Sequence, residues 1–333
     1  MMKILVTGGA GFIGSNFIRH VLNKNKSCEI VNFDKLSYAG NPDNLKDLEG
    51  NPSYTFVKGD ICDHAAVEKA MEGCDYVVNF AAESHVDRSL HCADEFIMSN
   101  ILGTNILLEK ARMIGISKFI QISTDEVYGS IDNGSFTESS ILAPNSPYSA
   151  SKAAAEHMCR AYYVTFGLPV VITRSSNNFG PYQYPEKFVA LSITNLLEDK
   201  KVPLYGDGKN VRDWLFVEDN CDGIYFVLNK GAAGEVYNIA GGYEMMNIEM
   251  VHAILKAMGK DASMIEYVKD RLGHDRRYSL DDSKLRAMGW KPGHTFAQAL
   301  DKTVKWYGTD RDWWMKIKHK DTYKAYYKKQ YKG

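Results

Sequence analysis

Tyr148 and Lys152 stand four positions apart in the run Tyr148-Ser149-Ala150-Ser151-Lys152. On a helix that spacing puts both side chains on one face. An ammonium beside a phenol favours the phenolate, lowering a tyrosine pKa from its ordinary value of about 10. The pair is therefore a base able to take a proton from an alcohol. Thr124, Asp125 and Glu126 form a second group, a hydroxyl followed by two adjacent acids at the end of a β-rich run, Lys118 to Ser123. The third is the glycine run Gly8-Gly9-Ala10-Gly11-Phe12-Ile13-Gly14. It follows a strand-like segment, Lys3 to Thr7, and opens an apolar pattern of helical spacing at Phe12, Ile13, Phe17, Ile18, Val21 and Leu22. Glycines in that setting let the backbone turn tightly against a pyrophosphate, and the helix N-terminus offers unpaired N–H groups and partial positive charge. Asp34 ends the second strand, 20 residues after Gly14. A carboxylate there accepts hydrogen bonds from a ribose diol and repels a 2′-phosphate, which favours NAD over NADP. Lys35 beside it pulls mildly the other way. Asp60 and Ile61, after the third strand, are placed to hold an adenine, with helix capping as the plainer role for Asp60. Ala81 and Ala82, after the fourth, are small enough for a close approach to a cofactor.

The elements that must carry these groups alternate. Strands are expected at Lys3 to Thr7, Glu29 to Phe33, Tyr54 to Lys58, Tyr76 to Phe80, Lys118 to Ser123 and Pro169 to Arg174. Helices are expected at His64 to Met71, Phe96 to Ile114 and Ser149 to Phe166. Strand-helix alternation implies right-handed βαβ units and a parallel sheet between two helical layers. The texture changes after Arg174: residues 175–186 read as a loop holding Pro181 and Pro185, and helices and short strands then mix, at Lys187 to Leu197, Val202 to Tyr205, Val217 to Leu228 and Ile248 to Met258. The expected fold is α/β, a Rossmann-type doubly wound parallel sheet with a smaller mixed α/β substrate domain. The boundaries are 1–174 for the dinucleotide-binding domain, with a returning segment near 213–240, and mainly 175–333 for the second.

At 333 residues the chain has room for about two domains at roughly 150 residues each. Lys plus Arg number 40 against 41 Asp plus Glu, a net charge of -1, which gives no support to nucleic-acid or polybasic membrane binding. The six cysteines contain no CxxC pair, so neither a zinc ribbon nor a thioredoxin-type site is expected, and scattered cysteines fit a reducing compartment. No apolar run approaches the 18 or so residues of a membrane span, and the start has no secretory pattern, so a cytoplasmic protein is the expectation. The tail interleaves Lys316, Lys318, Lys320, Lys324, Lys328, Lys329 and Lys332 with tyrosines, which reads as a solvated amphipathic helix rather than an RNA-binding one.

Together the glycine loop, Thr124, Tyr148 and Lys152 resemble the short-chain dehydrogenase/reductase superfamily in its extended, sugar-nucleotide-modifying form. Five further stretches resemble the dTDP-glucose 4,6-dehydratase family within it: Ala81 to Ser89 (AAESHVDRS), Thr124 to Gly129 (TDEVYG), Asn177 to Lys187 (NNFGPYQYPEK), Arg212 to Asp219 (RDWLFVED) and Asp270 to Tyr278 (DRLGHDRRY). The resemblance implies a lyase of deoxysugar biosynthesis acting on dTDP-glucose with a tightly bound, recycled NAD. Tyr148 takes the C4 hydroxyl proton as hydride leaves C4. Glu126 removes the C5 proton, Asp125 protonates the departing C6 hydroxyl, and hydride returns to C6. Thr124 binds the C4 oxygen, and Lys152 orients the ribose. Leu36, Ser37, Phe80, Ser84, Ser99 and Asn178 are implied cofactor contacts beside those named above. Ser84, Thr124, Asn177, Lys187, Phe188, Pro203, Tyr205, Arg212, Asn247, Arg271, His274 and Tyr278 are implied substrate contacts. A homodimer is implied through Phe96–Ile114 and Ser149–Phe166.

Two alternatives share part of this equipment. A sugar-nucleotide 4-epimerase or decarboxylase uses the glycine loop, Thr124, Tyr148 and Lys152 but has no need of the acid pair. A catalytically silent NAD-binding regulator usually lacks the tyrosine or the lysine, and both are here. Water elimination, by contrast, needs one group to remove a carbon-bound proton and another to protonate the leaving hydroxyl. Two carboxyls can divide that work if their surroundings separate their pKa values.

Overall fold

The computed structural model describes residues 2–270 and 273–331. Its strands are β1 (Met2–Thr7), β2 (Cys28–Asp34), β3 (Tyr54–Lys58), β4 (Tyr76–Asn79), β5 (Lys118–Thr124), β6 (Val170–Ser175), β7 (Asn177–Phe179), β8 (Val202–Tyr205), β9 (Val211–Phe216), β10 (Val236–Ile239), β11 (Glu244–Met246) and β12 (Ile265–Val268). Seven of them form one sheet in the order β10-β6-β5-β4-β1-β2-β3, and every neighbouring pair is parallel. Its central strands are continuous apolar runs because both faces are covered. The pleat splits them between two cores. Ile4 and Val6 point to a layer containing Phe17, Ile18 and Val21 of the helix Phe12–Lys24 and Ile224 and Val227 of the helix Val217–Lys230. Leu5 points to the opposite layer, with Val67, Leu107, Leu108 and Cys159 of the helices His64–Met71, Thr104–Ile114 and Pro147–Phe166.

This strand order positions the site. The chain runs outward from β1 to β3, then crosses back to lay β4 on the other side of β1. A crevice opens where the direction reverses, at the carboxyl ends of the strands. Gly8 follows β1 there with φ +67, and a Cβ on it would lie 2.6 Å from the backbone nitrogen of Ala81, beyond β4. Only glycine allows the two strand ends to approach so closely.

Two smaller sheets, β11-β9-β7 and β12-β8, lie among the helices of the remaining chain. Three expectations need correction. The segment 175–186, read as a loop, contains the strand β7, which pairs in parallel with β9. The helix expected over Phe96–Ile114 is not uniform: Ile97–Gly103 is π-helical between the short turn Asp94–Phe96 and the α-helix Thr104–Ile114. The extra residue per turn rotates Ser99 and Asn100 inward, and the Asn100 amide donates to Glu83 O (3.0 Å) and Ser151 Oγ (2.8 Å). The tail is helical over Asp321–Tyr331 but not simply solvated. Its tyrosines share one face, and Tyr323 is buried with its hydroxyl donating to Pro185 O at 2.9 Å. In the preceding helix, buried Lys318 donates to Asn195 Oδ1 at 2.9 Å.

One buried ion pair joins the elements around the site. From β6, Arg174 donates to both oxygens of Glu156 on the helix Pro147–Phe166 (3.0 Å each) and to the hydroxyl of Tyr128 (2.6 Å), which donates to Asn238 of β10 at 2.9 Å. Both charges are buried. Removing one partner strands the other in low dielectric. Glu156→Ala is therefore expected to lower unfolding free energy by about 3–5 kcal/mol in urea denaturation.

Candidate active site

Thr124 ends β5, and the chain passes straight into a single 3-10 turn, Asp125–Tyr128. Thr124 Oγ1 accepts from the Glu126 N–H at 3.3 Å and donates to Asp125 Oδ1 at 3.1 Å. The hydroxyl therefore caps the turn and fixes one carboxyl oxygen. Asp125 is 2% exposed, and its other oxygen is buried without a hydrogen-bond partner among the described residues. Burial pushes its carboxyl well above the usual aspartate range, and the neighbouring Glu126 pushes it further; Thr124 and Arg212 pull it down. Asp125 is thereby set to hold a proton to higher pH than an exposed aspartate. Glu126 is half-buried.

Tyr148 lies in the first turn of the helix Pro147–Phe166, whose start is fixed by a reciprocal cap between Ser146 and Ser149. Burial raises its phenol far above the ordinary value and the charge of Glu126 raises it again, while a hydrogen bond with Thr124 lowers it. The expected effect of Lys152 on the phenol needs correction. The lysine shares the helix face but is long enough to reach β5, where its ammonium donates to Ile122 O. Burial brings Lys152 down to about 8. Burial first, and then the negative charge of Glu126, is what a Tyr148 phenolate must overcome.

One cleft of about 220 Å³ runs from this pair to the glycine loop. Gly8, Gly11, Phe12, Ile13, Gly14, Asp34, Lys35, Ser37, Ile61, Phe80, Ala81, Ala82, Ser84, Ser99, Tyr148 and Lys152 line it, with Lys187 at the substrate side. Asp34 is buried; its oxygens accept from Ala10 N–H (2.9 Å) and Leu36 N–H (2.8 Å), tying the end of β2 to the glycine loop. Burial raises its carboxyl and those two bonds lower it. Lys35 Nζ lies 3.8 Å from Asp60 and 4.0 Å from Glu83, so its charge already faces two acids. Leu36 and Asp60 support this wall without lining it: Leu36 through its bond to Asp34, Asp60 by accepting from Cys62 N–H at 2.9 Å. The residues fit a dinucleotide. A Cβ on Gly14 would sit 2.5 Å from Gly8 O, and Asn178 Oδ1 is buried without a partner among the described residues. A buried acceptor left unpaired costs about 1–3 kcal/mol unless a ligand satisfies it.

The substrate residues expected from sequence fall into two groups. Arg212 lies with its guanidinium 4.2 Å over the Tyr278 ring and donates to Asp275 O (3.0 Å), while the Tyr278 hydroxyl donates to Asp275 Oδ2 (2.6 Å). Glu126 acts electrostatically on Tyr278 and Arg212 on Asp125, so this group faces the acid pair. The other group joins Tyr205, whose hydroxyl donates to Asp87 (3.2 Å), to the His274 ring at 6.0 Å, with His274 Nδ1 2.6 Å from Asp270. Pro203 is buried on β8 beside Tyr205. Lys187 donates to Ser84 O at 2.9 Å, and Phe188 stacks on Trp214 at 5.9 Å. Asn177 Oδ1 and Asn247 Oδ1 are buried and unpaired among the described residues. Arg271 lies outside the described residues.

Tyr38, Gly40, Glu83, Tyr182, Gln183 and Tyr184 also line the cleft and were not expected to. The available signal was aromatic density between Pro181 and Pro185, where Tyr182 takes a positive φ of 68. Tyr38 packs edge-on to Tyr184 at 5.5 Å and carries Arg88 at 3.8 Å over its ring.

Comparison with known proteins places this geometry. The family model for GDP-mannose 4,6 dehydratase matches residues 5–303. A dTDP-glucose 4,6-dehydratase of Actinoplanes sp. is 49% identical, covering 94% of this chain and 100% of the relative. The structure of a dTDP-glucose 4,6-dehydratase from Streptomyces venezuelae, solved with NAD bound, has a TM-score of 0.93 at 49% identity, covering 95% of this chain and 100% of that one. A UDP-glucuronic acid 4-epimerase from Bacillus cereus is more distant, with a TM-score of 0.87 at 31% identity, covering 92% and 99%. The chain belongs to the GDP-mannose 4,6 dehydratase family and is more similar to these dTDP-glucose 4,6-dehydratases than to this epimerase.

Proposed function

We propose that this protein is an NAD-dependent lyase that removes water from dTDP-glucose, giving the 4-keto-6-deoxy sugar. The observation that carries the reading is the acid pair: Asp125 is buried, with a raised carboxyl and an unpaired oxygen, beside the more exposed Glu126. When bound, NAD accepts hydride from C4 and returns it to C6. Gly8, Gly11, Phe12, Ile13, Gly14 and Asp34 would hold the dinucleotide, and Lys152 would orient its ribose. Thr124 and Tyr148 bind the C4 oxygen, and Tyr148 takes its proton. The resulting C4 ketone acidifies the C5 hydrogen. Glu126 removes that proton while Asp125 delivers its own to the departing C6 hydroxyl. Arg212 and Tyr278 close the site on the substrate side. Residues 1–174, with a returning segment near 213–240, form the cofactor domain in this reading, and 175–333 mainly the sugar-nucleotide domain.

Mass analysis of dTDP-glucose incubated with the protein is expected to find a product lighter by one water with no net consumption of NAD. An intact sugar would refute the assignment. Glu126→Gln should pass hydride from C4 and then stall, so that reduced cofactor accumulates and turnover falls by about 10²–10⁴. The same change removes a charge that raises Tyr148. The rising limb of the C4-oxidation pH profile should therefore move to lower pH in single-turnover absorbance measurements.

The protein is further proposed to be cytoplasmic, and a homodimer. None of the described helices is long and apolar enough to cross a membrane. Ile97 (51% exposed), Met98 (50%), Val164 (62%) and Phe166 (54%) lie on adjoining helical segments and leave an apolar surface of the kind that marks an interface. Met98→Glu combined with Val164→Glu is expected to shift the mass measured by light scattering from dimer to monomer.

A further inference from the structure

The helix Asp321–Tyr331 lies beyond residue 303, where the family match ends. Its last turn nevertheless meets residues assigned above to the sugar nucleotide. Tyr331 stacks on the ring of Tyr205, centroids 5.8 Å apart and planes 30° from parallel. Gln330 Nε2 donates to the Tyr205 hydroxyl at 2.7 Å, and that hydroxyl donates to Asp87 Oδ2 at 3.2 Å. Tyr326 adds a second layer, its hydroxyl 3.4 Å from Asp87 Oδ2 and 3.5 Å from His85 Nε2, with Arg88 4.8 Å over its ring. The helix is tied down along the same face: the Tyr323 hydroxyl donates to Pro185 O at 2.9 Å, Asn195 Nδ2 donates to the Tyr327 hydroxyl at 3.2 Å, and the Tyr327 ring packs on Tyr331 with centroids 5.0 Å apart.

We propose that this helix is the outer wall of the nucleotide-base pocket, and that Gln330 and Tyr331 are positioning residues that hold the Tyr205 ring for stacking on a pyrimidine base. The inference rests on the functional reading that puts Tyr205 in the substrate site. Its physical content is preorganisation. A tyrosine ring free to rotate loses conformational freedom when a base stacks on it. A ring backed by a second aromatic and held at its hydroxyl by Gln330 and Asp87 has less to lose. Neither residue touches the sugar-facing acids or the glycine loop, so their effect falls on nucleotide affinity and leaves the chemical steps alone.

Gln330→Ala and Tyr331→Ala, each checked for an unchanged melting temperature, separate these effects. Loss of that preorganisation is expected to raise KM for dTDP-glucose about tenfold in the tyrosine variant, about 1.4 kcal/mol, and less in the glutamine variant. The turnover number and the affinity for NAD should stay at wild-type values. Calorimetry with dTDP alone should report the same loss. A KM unchanged in both variants overturns the proposal, and so does a lower KM, which would mean that the helix competes with the base for Tyr205. Wild-type protein that neither binds dTDP nor turns over dTDP-glucose overturns the functional reading and this inference with it.

Discussion

Two carboxyls side by side on one short turn cannot behave alike when only one of them is buried. Asp125 is enclosed at the end of β5 and Glu126 is not. Desolvation acts on the enclosed acid first, and the charge of the other adds to it. In the proposed mechanism that asymmetry assigns the acid role to Asp125 and the base role to Glu126, and the rest of the site is arranged around it. Burial raises the Tyr148 phenol, and the same negative charge raises it further. When bound, oxidised NAD would supply positive charge to the cleft that Tyr148 and Lys152 line.

Keeping that turn in place falls to the surrounding fold. Thr124 caps it from the strand side. Tyr128, at its far end, is gripped by Arg174 and Asn238, and Arg174 is neutralised by Glu156 on the helix that carries Tyr148. One buried network thus joins β5, β6, β10 and the tyrosine helix, and it lies just behind the groups proposed to do the chemistry. A buried ion pair contributes little net stability against an apolar substitute. Its geometry, however, fixes the distance between the acid turn and the tyrosine.

The fold class was legible because strand and helix periodicities alternate cleanly from Lys3 to Arg174, and the Val/Ile-rich strands advertise burial on both faces. The glycine loop and Asp34 were legible because their spacing follows from backbone geometry at a strand-helix turn. Other features depend on packing that no local pattern records. The π-helical stretch Ile97–Gly103 has the composition of an ordinary helix, and its inward rotation of Asn100 appears only against Glu83 and Ser151. Lys152 has the spacing to meet Tyr148, but its length lets it reach Ile122 O instead. Tyr38 and Tyr182 to Tyr184 reach the cleft from loops whose course is set by tertiary contacts. The tail's lysines dominate its composition and disguise the tyrosine face by which it docks.

The claim on which the account turns is that burial keeps the Asp125 carboxyl protonated well above the usual aspartate range. Infrared difference spectroscopy of the holoenzyme against Asp125→Asn reads this directly. The account predicts a protonated-carboxyl band at pH 7 that the substitution abolishes and that disappears only on titration well above the usual aspartate range. A spectrum at pH 7 containing only carboxylate signal from Asp125 would contradict it.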